Sequence, residues 1–185
     1  NFRGAVVERY QRALARRNIT DGIQLKRVVE RLYPESDEFY RQFDRLSRFG
    51  ERLEHYLASE NLKALQGLLG EPDLSRIERS IAEAQFGGYV HTRVAELVRT
   101  GKGQEALELL AALPPELYTA ETWTLCSQLI TAIAANPGQI GFDALLRGRT
   151  HELLLRFSER DPGGREILRQ LLSLGFLEAG RKGDA

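Results

Sequence analysis

Methionine is absent from all 185 residues, and cysteine and tryptophan occur once each. A single thiol excludes an internal disulfide framework and fits a reducing compartment, so a cytoplasmic setting is expected. With no methionine and Asn1 in first place, the chain reads as a processed piece of a larger protein. No apolar run approaches the roughly 18 residues of a membrane helix, and no secretory leader is visible, so membrane insertion is not expected. Alternating runs rich in Val, Ile and Thr, the mark of strands, are missing too.

What remains is 42% apolar and 28% charged residues with a formal net charge of zero. Those fractions describe an ordinary globular chain rather than a disordered one. Leu, Ala, Glu, Arg and Gln dominate, a bias toward helix throughout. The length suits one domain with a proper core, or two small ones. The expectation is a single all-helical domain over 1–180, with a possible subdivision near 59–72 and a frayed tail at 181–185.

Apolar stripes and breakers divide the chain into about ten helices. The first spans Phe2 to Arg17; Thr20 or Asp21 then caps a second that ends at Pro34. Ser36 starts a third, in which Phe39, Phe43, Leu46, Gly50, Leu53 and Leu57 recur at 4-3-4-3-4. That register survives only if the helix runs through Gly50, so one long helix over 37–58 is predicted, with a close helix crossing at the glycine. Ser59 caps a short helix over 60–69. Asp73 starts another, carrying Leu74, Ile77, Ile81 and Ala84, which Gly87-Gly88 is expected to close. "NPGQIG" at 136–141 is the clearest turn. A helix over 142–159 follows, then Asp161-Pro162 as a cap with proline in the first turn.

The centre of the chain is 88–136. Val90, Val94, Leu97 and Val98 form one helical stripe, Ala106, Leu109, Leu110 and Leu113 a second. Thr119 caps a third helix with Glu121 and Thr122 in its first turn. This third helix is apolar on most of its circumference, which predicts that 120–135 is the most buried element. The stretch resembles a tetratricopeptide-type helical hairpin. Gly101 matches that family's turn glycine, Ala106 its small second-helix residue and Leu110 its large one, and Trp123, 33 residues beyond Val90, its first-helix tryptophan. Cys126-Ser127, Ile130 and Leu113 depart from the pattern. The resemblance covers about one and a half units, roughly a quarter of the chain, and implies a protein-binding helical repeat. Short links between helices make antiparallel hairpins the default. They assemble either as a short α-solenoid-like array or as an irregular multi-helix bundle.

Chemical signatures are few. Cys126, between Trp123 and Ile130, reads as a small core residue. Residues three before His55, His91 and His151 are Arg52, Gly88 and Gly148, so the Glu-x-x-His pairs of helical metal sites are missing, and neither metal nor cofactor is expected. "TGKGQE" at 100–105 lacks the spacer and the Ser or Thr of a phosphate loop. Arg149, Glu152 and Arg156 share a helix face as an ion-pair set. Residues 1–31 hold eight basic against three acidic side chains, and 63–121 hold nine acidic against six basic. Arg9, Arg12 and Arg16 share a face of the first helix, and Lys26, Arg27 and Arg31 follow on the second. Such a basic face either touches phosphates or pairs with carboxylates of this or another chain.

Taken together these features predict no enzyme, but a non-catalytic interaction or regulatory module whose partner is another protein or another domain of the same protein. His91, Arg93 and Glu96, with Thr124, Ser127 and Gln128 on the next helix, are the expected partner-binding residues. Nucleic-acid binding through the basic helices is one alternative. A pocket for a small apolar ligand around Trp123 and Cys126 is the other.

Overall fold

A computed structural model describes residues 2–136, 145–146 and 148–183, with side chains through Ser173. Every regular element among them is helical: α1 Phe2–Ala15, α2 Ile19–Leu32, α3 Glu38–Ala58, α4 Leu62–Leu69 and α5 Arg76–Arg99. There follow α6 Gly103–Ala111, a 3-10 turn Pro115–Leu117, α7 Ala120–Ala135, α8 Gly148–Arg160 and α9 Pro162–Gly183. Contacts divide the chain into two compact units, Asn1–Phe86 and Gly87–Ala185, with the boundary inside α5. The stretch 59–72 lies within the first unit, where α4 packs on α3.

In the first unit α1, α2 and α3 pack against one another in all three pairings. The long α3 runs unbroken through Gly50, as the 4-3-4-3-4 stripe requires. A Cβ at Gly50 would stand 2.6 Å from Leu14 Cδ2 and 3.0 Å from the Tyr10 hydroxyl, so the glycine lets α1 and α3 approach closely. Tyr10 meets Phe43 edge-on at 5.0 Å, and Phe49 and Leu53 fill the middle of this core. Before α5, Ser75 and Glu78 form a reciprocal cap: the Ser75 N–H donates to Glu78 Oε2 at 2.8 Å, and the Glu78 N–H to Ser75 Oγ at 3.2 Å.

In the second unit α6 packs on α7 and α8, and α9 packs on α7 and α8, so the four contacts close on themselves. Leu107, Leu110, Leu129, Ile130, Ile133, Leu153 and Phe157 are buried there, with Val90 and Val94 of α5. Gly103 opens α6 beneath Ile133, whose Cγ1 a Cβ would meet at 3.1 Å. Thr119 caps α7 as predicted, and Thr122 completes a reciprocal box with it. Asp161 caps α9, its Oδ1 accepting from the Gly163 N–H at 3.0 Å, with Pro162 in the first position.

Three expectations are corrected. Gly87-Gly88 does not end a helix: α5 continues through it, because Ala82, Phe86, Val90, Val94 and Leu97 keep one buried stripe across the pair. The caps of α2 and α4 are Asn18 and Asn61, whose side chains accept from Asp21 N and Ala64 N, not Thr20, Asp21 or Ser59. Nor is α7 buried all round. Six of its 16 residues are buried, against five of nine in α6, because several of its apolar positions are alanines that stay at the surface, Ala132 and Ala135 among them. The "NPGQIG" turn beyond Asn136 and the expected start at Phe142 lie outside the described residues, as do Asp184 and Ala185.

Candidate functional site

The first turn of α7 and the last turn of α8 place the chain's only tryptophan at a surface. Trp123 is half-buried. Tyr118, just after the 3-10 turn, meets its ring edge-on at 5.2 Å and 80°. The Arg160 guanidinium stacks over the same ring, 5.5 Å from its centroid. Two adjoining grooves of about 400 Å³ each share Trp123 and Arg160 as a common wall. One is completed by Pro115, Tyr118, Arg156 and Glu159, the other by Thr124, Ser127, Gln128, Phe157 and Asp161. Arg156 is held by Glu152 at 3.0 Å, and Arg149 donates to the Ala112 carbonyl at 3.2 Å. Arg160 has neither an ion pair nor a hydrogen bond among the described residues, so its charge is open to a ligand. Burial raises the Tyr118 phenol above its ordinary pKa, with Glu152 adding to the effect.

Thr124, Ser127 and Gln128 are therefore brought together, one helical turn apart along the groove. Arg93 and Glu96 pair with each other at 2.8 Å and do not line it. His91 was expected on a binding face, and here the structure differs: its ring is buried. Nε2 lies 2.9 Å from Thr122 Oγ1, and Nδ1 lies 3.1 Å from Glu121 Oε2. The reason is the cap of α7, whose buried Thr122 hydroxyl also accepts the Thr119 N–H at 3.0 Å. The carboxylate–imidazole–hydroxyl order resembles a nucleophilic relay, but the Thr122 hydroxyl is fully buried. Its work is to close the hydrogen-bond account of a helix start.

Cys126 lies one turn behind Trp123 and is wholly enclosed; burial pushes its thiol up to about 12, with Asp161 adding. A thiol so placed is not a nucleophile at neutral pH. No group of three metal-ligating side chains occurs among the described residues. Sequence reasoning missed Arg160 and Phe157 as groove walls. The available signal was the spacing of Arg156 and Arg160, i and i+4 on one helix, ahead of the Asp161-Pro162 cap.

The basic N-terminal face resolves into two halves. Arg9 binds Asp21 at 2.6 Å, Arg12 binds Glu8 at 3.3 Å and Lys26 binds Glu51 at 2.6 Å. Arg16, Arg27 and Arg31 have no such partner among the described residues. No described helix is long and apolar enough to cross a membrane. No protein-family model, curated protein or solved structure matches the chain.

Proposed function

We propose that the protein is a non-catalytic helical interaction module that holds a segment of another protein, or of another domain, in the grooves around Trp123. One observation carries this reading: a half-buried tryptophan, fixed between Tyr118 and an Arg160 that has no ion pair among the described residues, forms the shared wall of two grooves. Trp, Tyr and Arg are the residues that concentrate binding energy at protein interfaces. They are rigid or pre-stacked here, so little side-chain freedom is lost on docking. Thr124, Ser127 and Gln128 supply polar contacts along one edge. The tetratricopeptide resemblance of 88–135 belongs to the same proposal, since Trp123 is one of the residues that carries it. So does a cytoplasmic setting, which the single enclosed cysteine supports.

The test is affinity capture from the source organism with the wild-type chain and with Trp123→Ala in parallel. A partner retained by the first and lost by the second is expected, the loss of a central aromatic anchor costing about 30-fold or more in affinity. Identical capture by both chains overturns the reading.

A further inference from the structure

The helix α2 is amphipathic on its packed side and unusual on its outward one. Its inner residues Leu25 and Val29 are buried against α1 and α3. Outward stand Ile19, Ile23, Val28 and Leu32, each between 40% and 59% exposed, half of all the large apolar side chains so exposed among the described residues. Ile19, Ile23, Arg27 and Arg31 fall at successive intervals of four, one ridge along the helix. Both arginines are exposed, and neither has an ion pair among the described residues. At its isoleucine end the ridge borders a groove of about 320 Å³ between α1, α2 and α3, floored by Ala13, Leu14, Gly22 and Gly50. That volume is some ten times the ~30 Å³ share of a water molecule, and its walls are mostly apolar, so the groove suits aliphatic side chains rather than hydration. Two ion pairs, Arg17–Glu54 at 3.1 Å and Lys26–Glu51 at 2.6 Å, stand at its rim.

We propose that the outward face of α2 is a second docking site, which takes an acidic amphipathic helix of a partner protein. Its apolar side chains enter the groove beside Ile19 and Ile23, and its carboxylates meet Arg27 and Arg31. The ridge is about 18 Å long, roughly three and a third helical turns. The charge pattern selects this occupant. A phosphate backbone rewards dense, unpaired cations, whereas Arg9 and Lys26 are already neutralised and half of the ridge that carries Arg27 and Arg31 is the aliphatic pair Ile19 and Ile23. An anionic membrane would meet Glu51 and Glu54 at the groove that its lipid chains would have to fill. A helix with apolar residues one turn apart and acids one and two turns farther on satisfies both halves of the ridge.

The probe is a fluorescently labelled helical peptide of that pattern, with leucines and glutamates, titrated with the full chain and followed by anisotropy. Saturable, salt-sensitive binding is expected. Arg27→Glu with Arg31→Glu should weaken it tenfold or more, and a peptide carrying lysines in place of its glutamates should regain affinity for that variant. This regain also establishes that the variant is folded. Ile23→Ser should weaken both pairings. The proposal is overturned by absence of saturable binding, or by binding that these substitutions leave unchanged. Tighter binding of a single-stranded oligonucleotide or a phosphatidylserine vesicle through the same residues overturns it as well.

Discussion

Gly88 and Gly164 are both helical glycines, yet what surrounds them makes their replacement opposite in effect. Nothing lies within 4 Å of a Cβ built on Gly88, so Gly88→Ala should stabilise the protein by up to about 1 kcal/mol through helix propensity. At Gly164 the same atom would enter the ring of the buried Phe157. Gly164→Ala should therefore cost about 1–3 kcal/mol in overpacking. Urea unfolding of the two variants checks both signs. Gly50 was legible in the sequence because a strict apolar register ran through it. Gly164 was not, because no local pattern tells that a ring from another helix lies over it.

Cys126 gives a second prediction at this scale. Its thiol titrates near 9 in the open chain and is pushed up to about 12 in the fold. Below pH 9 both states hold the proton, and stability does not depend on this group. As pH rises from 9 to 12 the unfolded chain releases the proton while the fold retains it, so stability falls, by a few kcal/mol in all. Tyr10, raised by burial from 10 to about 12, adds to the fall over its upper part. Urea midpoints across that window should drop, and Cys126→Ala should flatten the portion beginning at pH 9.

Among elements, the hairpin turns follow one design that the sequence half conceals. Arg17-Asn18, Glu60-Asn61 and Gly101-Lys102 each pair a left-handed residue, at φ 53°, 53° and 73°, with the N-cap of the next helix. Each second residue donates its N–H to the carbonyl five residues back: Asn18 to Ala13, Asn61 to Tyr56 and Lys102 to Leu97. Only the third turn has the glycine that announces such a stop. The other two use arginine and glutamate, which is why the caps were expected at Thr20, Asp21 or Ser59. The corrected cap predicts that Asn61→Ala costs about 1 kcal/mol, while Ser59→Ala, whose hydroxyl bonds back to the His55 and Tyr56 carbonyls, costs a few tenths. Thermal unfolding distinguishes the two. The Ser75–Glu78 box was equally legible as Ser-x-x-Glu, and it starts α5 at Arg76 rather than at Asp73.

For the whole molecule, the zero net charge conceals an uneven division between paired and unpaired cations. Arg3, Arg9, Arg12, Arg17 and Lys26 each meet a carboxylate, whereas Arg27 and Arg31 on α2, and Arg160 over Trp123, are among the cations that have no ion pair among the described residues and that stand beside apolar surface. The helical class and most element positions could be read from periodicity and caps, and so could the shared helix face of Thr124, Ser127 and Gln128. The grooves could not, because one wall comes from α8, and periodicity within α7 carries no information about which helix lies beside it. His91 misled for a related reason: its partners Glu121 and Thr122 are thirty residues away in sequence.

Because Trp123 is the chain's only tryptophan, its emission reports the proposed groove directly. Titrating the wild-type chain with the partner recovered by capture should shift the emission to the blue and saturate, as the half-exposed ring is covered. Arg160→Ala should weaken the titration roughly tenfold or more, through loss of the stacked cation. A partner that binds with saturation while the Trp123 emission stays unchanged would contradict the account.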